Sequence, residues 1–520
     1  MKNSKRLLAC ILSFLFLFTT LSPAVIATES ESDINAVDIT CPTIYIHGFA
    51  CGDIYADMGT ENEKIVWPMQ NDLIMTAVKT AIAPIANYLL THNWAAFEDA
   101  LIEVVNLLFS GAWNNPDGTT KENSGIKWTY PTDITTTSKI SFNYDWRADP
   151  LVIADELAAY IDYVLAESGC DKVAVECHSM GGIIFMSYAA KYGLDKIHGA
   201  IMDATAIYGA SYMGELFANR FMLDGEAVYA YLLYSFSGIK GEAILDLLMD
   251  SLFASGVFDL LEAAGEELVR RSYERVAKEC LIPLFAYWPS VWAMIPDADC
   301  KASEKYVFET VLSGNNNEAH AALRSKVQAY NSEVRANRDD ILQQLADSGR
   351  LMIIARYGFS MAPVSANWTS QSDGVIDTVY ASYGATTANY GKNLSDSYIA
   401  KYADKGYISP DHMIDASTCS FPEITWFIRD LQHSTDSNDL NALKDAVLFA
   451  DKKVDIHTFA AYPQYMIRSQ GKIVAFETYN NPAFNPLYEY GKLMQNIRDQ
   501  IEALFKSIFE KLSEFFMLHA

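Results

Sequence analysis

The chain has 520 residues, half of them hydrophobic and 12% aromatic, with 20% charged. That is ample apolar material for a large core, and it excludes a disordered chain. A formal charge of −26 with no basic stripe excludes a nucleic-acid partner, whose phosphates need cations, but not an interface met by apolar surface.

The N-terminus reads as an export signal over residues 1–27. Lys2, Lys5 and Arg6 precede the uncharged apolar stretch Leu7–Leu21, and small residues lead to a cleavage point after Ala27. The stretch is short for a membrane span and Pro23 follows it at once. Removing the segment takes away three cations and no anions and leaves about −29. The mature protein is expected outside the cell, secreted or at a bacterial surface. Seven of the eight cysteines remain, so at least one thiol is unpaired. Cys41–Cys51 and Cys280–Cys300 are plausible local disulfides; all seven as small buried residues is the other reading. No Cys/His cluster has zinc spacing, and neither metal nor cofactor is expected.

In chain order, Thr43–Ile46 reads as a buried strand ending at His47-Gly48. Helical segments follow near Asn71–Leu90 and Trp94–Phe109, then a strand over Lys139–Asp145 in which Ile140, Phe142 and Tyr144 alternate. Leu151–Glu167 is an amphipathic helix, Lys172–Glu176 a strand, Gly181–Lys191 a helix and Ile197–Met202 a strand. This alternation predicts a mainly parallel sheet covered by helices on both faces. From 205 to 345 the pattern is helical and strongly apolar, and strand character returns at Leu351–Ala355. The expected organisation is a core of 28–204 and 346–432, a helical cap over 205–345, and a C-terminal unit over 433–520. A helix is expected near Glu423–Asp430, a hairpin about Gln470-Gly471, and an amphipathic helix over 487–518. That last helix is read as docking on the body, with a membrane-surface role as the alternative.

The chemistry centres on Val173-Ala174-Val175-Glu176-Cys177-His178-Ser179-Met180-Gly181-Gly182. A serine at a sharp strand-to-helix junction projects its hydroxyl above the sheet, and Gly181 lets the two backbones approach. Cys177 stands where such turns usually carry glycine. His178 is assigned a packing role. The backbone N–H groups of Phe49, after Gly48, and of Met180 are the expected oxyanion donors. The acid is expected next in the chain and the histidine last. Asp373, before Gly374, is preferred over Asp377, with Asp203 as the outside alternative. His412, in Ser409-Pro410-Asp411-His412, is preferred as the base; His433, His457 and His519 lie beyond the last expected core helix.

Together these residues resemble the lecithin:cholesterol acyltransferase and phospholipid:diacylglycerol acyltransferase group of α/β-hydrolases, and more closely its bacterial relatives. Tyr144-Asp145-Trp146-Arg147 is the most specific match, joined by Gly48-Phe49, His178-Ser179-Met180-Gly181-Gly182 and Ser372-Asp373-Gly374-Val375. Trp288–Pro296 is similar to the group's lid segment. The likeness covers roughly 40–430, is loose within 205–345, and ends before the tail. It implies an α/β-hydrolase fold, a lid over an acyl pocket and action on lipid esters, by hydrolysis or by acyl transfer. The expectation is an exported serine hydrolase with lipid or ester substrates and transient contact with a lipid interface through the cap. An esterase for small soluble esters and a catalytically silent binding protein are the alternatives.

Overall fold

The computed structural model describes residues 37–68, 93–109, 111–220, 224–236, 273–314, 317–469 and 471–476, with residue 222 and isolated positions between 73 and 91. The expected export signal, most of the helix expected near 71–90, and the C-terminal helix lie outside the described residues.

Eight strands build one sheet: β1 (Thr43–Ile46), β2 (Lys139–Phe142), β3 (Val173–His178), β4 (Ile197–Asp203), β5 (Leu351–Tyr357), β6 (Thr425–Arg429), β7 (Tyr465–Ser469) and β8 (Lys472–Ala475). Their order is β8-β7-β6-β5-β4-β3-β1-β2. All neighbours are parallel except β7 and β8, which form an antiparallel hairpin. The central strands are continuous apolar runs because both faces are covered; every residue of Leu351–Tyr357 is buried.

The covering helices have local causes. In α1 (Pro150–Ser168), the Asp149 carboxylate accepts the Leu151 N–H, Pro150 occupies the first turn where no N–H is needed, and Gly169 ends the helix at φ 69°. Its buried stripe is Ile153, Leu157, Tyr160, Ile161 and Val164. It packs against α2 (Gly181–Tyr192), while α3 (Asn441–Phe449) lies on β4 and β5. Between β4 and β5 the described residues form helices and connecting turns, from Ser211–Phe217 to Arg338–Asp347. No described helix is long and apolar enough to cross a membrane.

Three expectations are corrected. The segment expected as a helix near 423–430 is a short 3-10 turn, Pro422–Ile424, followed by strand β6. Thr425-Trp426-Phe427-Ile428 is a β-branched and aromatic run buried on both faces, and its length is that of a strand. The hairpin about Gly471 forms, but β7 pairs with β6. Among the described residues beyond 433, strands β7 and β8 therefore extend the main sheet of the expected core. All seven described cysteines are free, so neither expected disulfide is formed.

Because β6 is an interior strand, Phe427→Ala is expected to cost about 3–5 kcal/mol of stability, measured by urea unfolding. An exposed helical position would cost no more than about 0.5 kcal/mol, and a value that small at Phe427 would contradict the placement.

Candidate active site

The carboxyl ends of the parallel strands converge on one rim, where open α/β sheets place their sites. Ser179 follows β3 and adopts φ 55°, a left-handed conformation that costs a non-glycine residue energy. It is 5% exposed. Its N–H donates to Asp203 O at 3.2 Å, and its carbonyl accepts from Gly182 N at 3.2 Å and Ala206 N at 3.1 Å.

Two glycines make the turn possible. A Cβ on Gly181 would lie 2.0 Å from Ile46 O, and one on Gly48 would lie 2.8 Å from Ser179 Cβ and 3.1 Å from its Oγ. The loop after β1 is thereby pressed against the serine, which places Phe49 beside it. Among the described residues neither the Phe49 nor the Met180 N–H donates to a protein oxygen, so both remain available to an incoming oxygen. Cys177 occupies the usual glycine position without exposure, in register between Ile46 and Met202. A thiol is small enough for that slot.

The Tyr144–Arg147 motif braces this side. Tyr144 OH donates to His47 O at 2.6 Å, and its ring stacks on His47 at 4.3 Å. Arg147 grips Asp145 through two bonds, Nε to Oδ1 at 2.9 Å and Nη2 to Oδ2 at 2.7 Å. Trp146 is fully buried, with ring centroids 4.7 Å from Phe49 and 5.2 Å from Trp288. Ser290 Oγ donates to Trp146 O at 2.6 Å, so the Trp288–Pro296 segment is fastened to this wall.

Beyond β5, Asp373 is fully buried. Its Oδ1 accepts from Val375 N at 3.0 Å and Ile376 N at 2.7 Å. Its Oδ2 accepts from His433 Nδ1 at 2.6 Å, and His433 N–H donates back to Asp373 O at 3.0 Å. Burial alone would raise this carboxyl, but the facing His433, these hydrogen bonds and nearby Arg356 hold it below the usual range. The His433 ring centroid lies 4.7 Å from that of His178, the residue before Ser179. The structure thus brings the Ser179 turn, Asp373 and His433 together.

His412 is elsewhere. It is an exposed turn residue at φ 58°; its N–H donates to Ser409 O and its carbonyl accepts from Leu394 N, each at 2.8 Å. The neighbouring Asp411 takes Tyr357 OH and Arg429. The Ser409–Met413 segment is a structural turn, and the choice of His412 is replaced by His433. The missed signal was strand β6: once 425–429 is a strand, the histidine just past its carboxyl end is the natural partner for the rim. The two alternative acids have other work. Asp377 accepts from Ser211 N and Oγ, and Asp203 pairs with Arg356. The His178 ring packs against that of His433.

No family model matches the chain, and no curated protein matches it. Among solved structures, a chain of the Tle4–Tli4 complex is similar at 12% identity and a TM-score of 0.24, over 61% of this chain and 74% of that one.

Burial, then the nearby His433 and Arg356, push His178 down to about 3. Between pH 6.5 and 3 the folded chain keeps this ring neutral while the unfolded chain protonates it, so the unfolded state binds more protons and stability falls as pH falls. His178→Gln is expected to flatten that fall, read as the urea midpoint across the same window. An unaltered slope would show that His178 titrates freely in the folded protein.

Proposed function

We propose that this chain is a serine hydrolase of the α/β-hydrolase kind that cleaves or transfers acyl groups of carboxylic esters. The observation that carries the reading is the buried Asp373–His433 pair beside the strained turn of Ser179. The chain order serine, acid, histidine and the position of each beyond β3, β5 and β6 agree with that fold's arrangement.

The chemistry follows from the groups present. His433 takes the Ser179 hydroxyl proton as the oxygen attacks the ester carbonyl. Asp373 orients the imidazole through Nδ1 and stabilises the imidazolium that forms. The Phe49 and Met180 N–H groups receive the oxyanion. His433 then returns the proton to the leaving alcohol, and water or another alcohol releases the acyl group from Ser179.

Lipid-like esters are the substrate class we favour, on the strength of the strongly apolar sequence between β4 and β5, which would suit contact with an aggregated substrate. One observation supports the second reading, a closed pocket for smaller esters: Trp288–Pro296 is buried and bonded to Trp146, as a fixed wall would be. Rates on esters of increasing chain length separate the two. Export to the cell exterior belongs to the same proposal and rests on the N-terminal composition.

Ser179→Ala and His433→Ala are each expected to lower ester turnover by about 10³-fold or more while the fold persists, whereas His412→Ala stays within about twofold, as expected of an exposed residue away from the reacting atoms. Turnover surviving in Ser179→Ala would overturn the reading.

A further inference from the structure

Arg356 lies near the end of β5, 1% exposed. Its Nε and Nη2 donate to the two carboxylate oxygens of Asp203 at 2.9 and 2.8 Å. Its Nη1 lies 2.7, 3.0 and 2.8 Å from the carbonyl oxygens of Gln432, His433 and Thr435. One planar guanidinium therefore holds the backbone of the loop that carries His433. Asp203 is also the residue whose carbonyl accepts the Ser179 N–H. Ser437 Oγ, from the far side of the same loop, donates to Asp203 Oδ2 at 2.6 Å and accepts from Lys444 Nζ at 2.7 Å.

We infer that Arg356 is the positioning residue for the catalytic base: with Asp203 it locks the 432–437 loop to the nucleophile turn and holds the imidazole beside that turn, against His178. This rests on the hydrolase reading above. A lysine cannot replace it, because a point charge on a flexible stem cannot present a fork to Asp203 and a third nitrogen to the loop. The lock also matches charge to chemistry. Lys444 also pairs with Glu176, so Asp203, Arg356, Lys444, Glu176 and Asp373 sum to one net negative charge, opposite to the charge that develops on His433.

The test compares Arg356→Lys and Ser437→Ala with wild type by amide hydrogen exchange over 432–437 and by kcat and KM on a soluble p-nitrophenyl ester. Arg356→Lys is expected to exchange faster in that loop and to lose about 10²-fold in kcat, the scale of a small misplacement, with KM little changed. Ser437→Ala, which leaves the guanidinium in place, should show the same split more weakly and decides the matter if Arg356→Lys does not fold. A folded Arg356→Lys with wild-type kcat, or unchanged loop exchange in both variants, overturns the inference. A loss of kcat without faster exchange also overturns it. Wild type that turns over no ester while the loop still loosens in the variants would instead remove the hydrolase reading and leave the clamp standing.

Discussion

Everything at the rim depends on one buried hydrogen bond, from His433 Nδ1 to Asp373 at 2.6 Å. A carboxylate out of water is costly unless its lone pairs are satisfied. Here the backbone N–H groups of Val375 and Ile376 take one oxygen and the imidazole takes the other. That arrangement leaves the opposite ring nitrogen free of the carboxylate and commits the side chain to a single orientation. The bond joins loops that leave β5 and β6, strands paired in parallel register, so the sheet itself sets their spacing.

The remaining groups reach the same rim by the same logic. Parallel strands deliver their carboxyl ends to one edge, and the tight approach of Gly48 and Gly181 brings the first strand's loop against the serine. The Asp145–Arg147 and Asp203–Arg356 pairs brace the two sides. Both are nearly dry, and both satisfy further hydrogen bonds with neighbouring backbone, the condition under which a buried ion pair is tolerated. Removing one partner from such a pair leaves an uncompensated charge.

Much of this was legible in the amino-acid order. The alternation of strand and helix periods from Thr43 to Asp203 located the sheet, and the junction at Ser179, the glycine before Phe49 and the Asp373-Gly374 turn each carry a local backbone requirement that the neighbouring residues reveal. His433 was not legible for a different reason. Its place depends on β6, and Thr425–Arg429 is an apolar run whose period does not separate a buried strand from a buried helix. Read as a helix, it ended the core too early and moved the expected base to His412. The pairing of Arg356 with carbonyls of residues 432, 433 and 435 had no signature at all, because backbone acceptors are common to every residue.

The most direct test of the account is the mass of the intact protein after exposure to a fluorophosphonate, with the modified peptide sequenced. The account predicts one adduct, on Ser179, formed rapidly in wild type and in His412→Ala and barely at all in His433→Ala. An adduct on another residue, or equal labelling of His433→Ala, would contradict it.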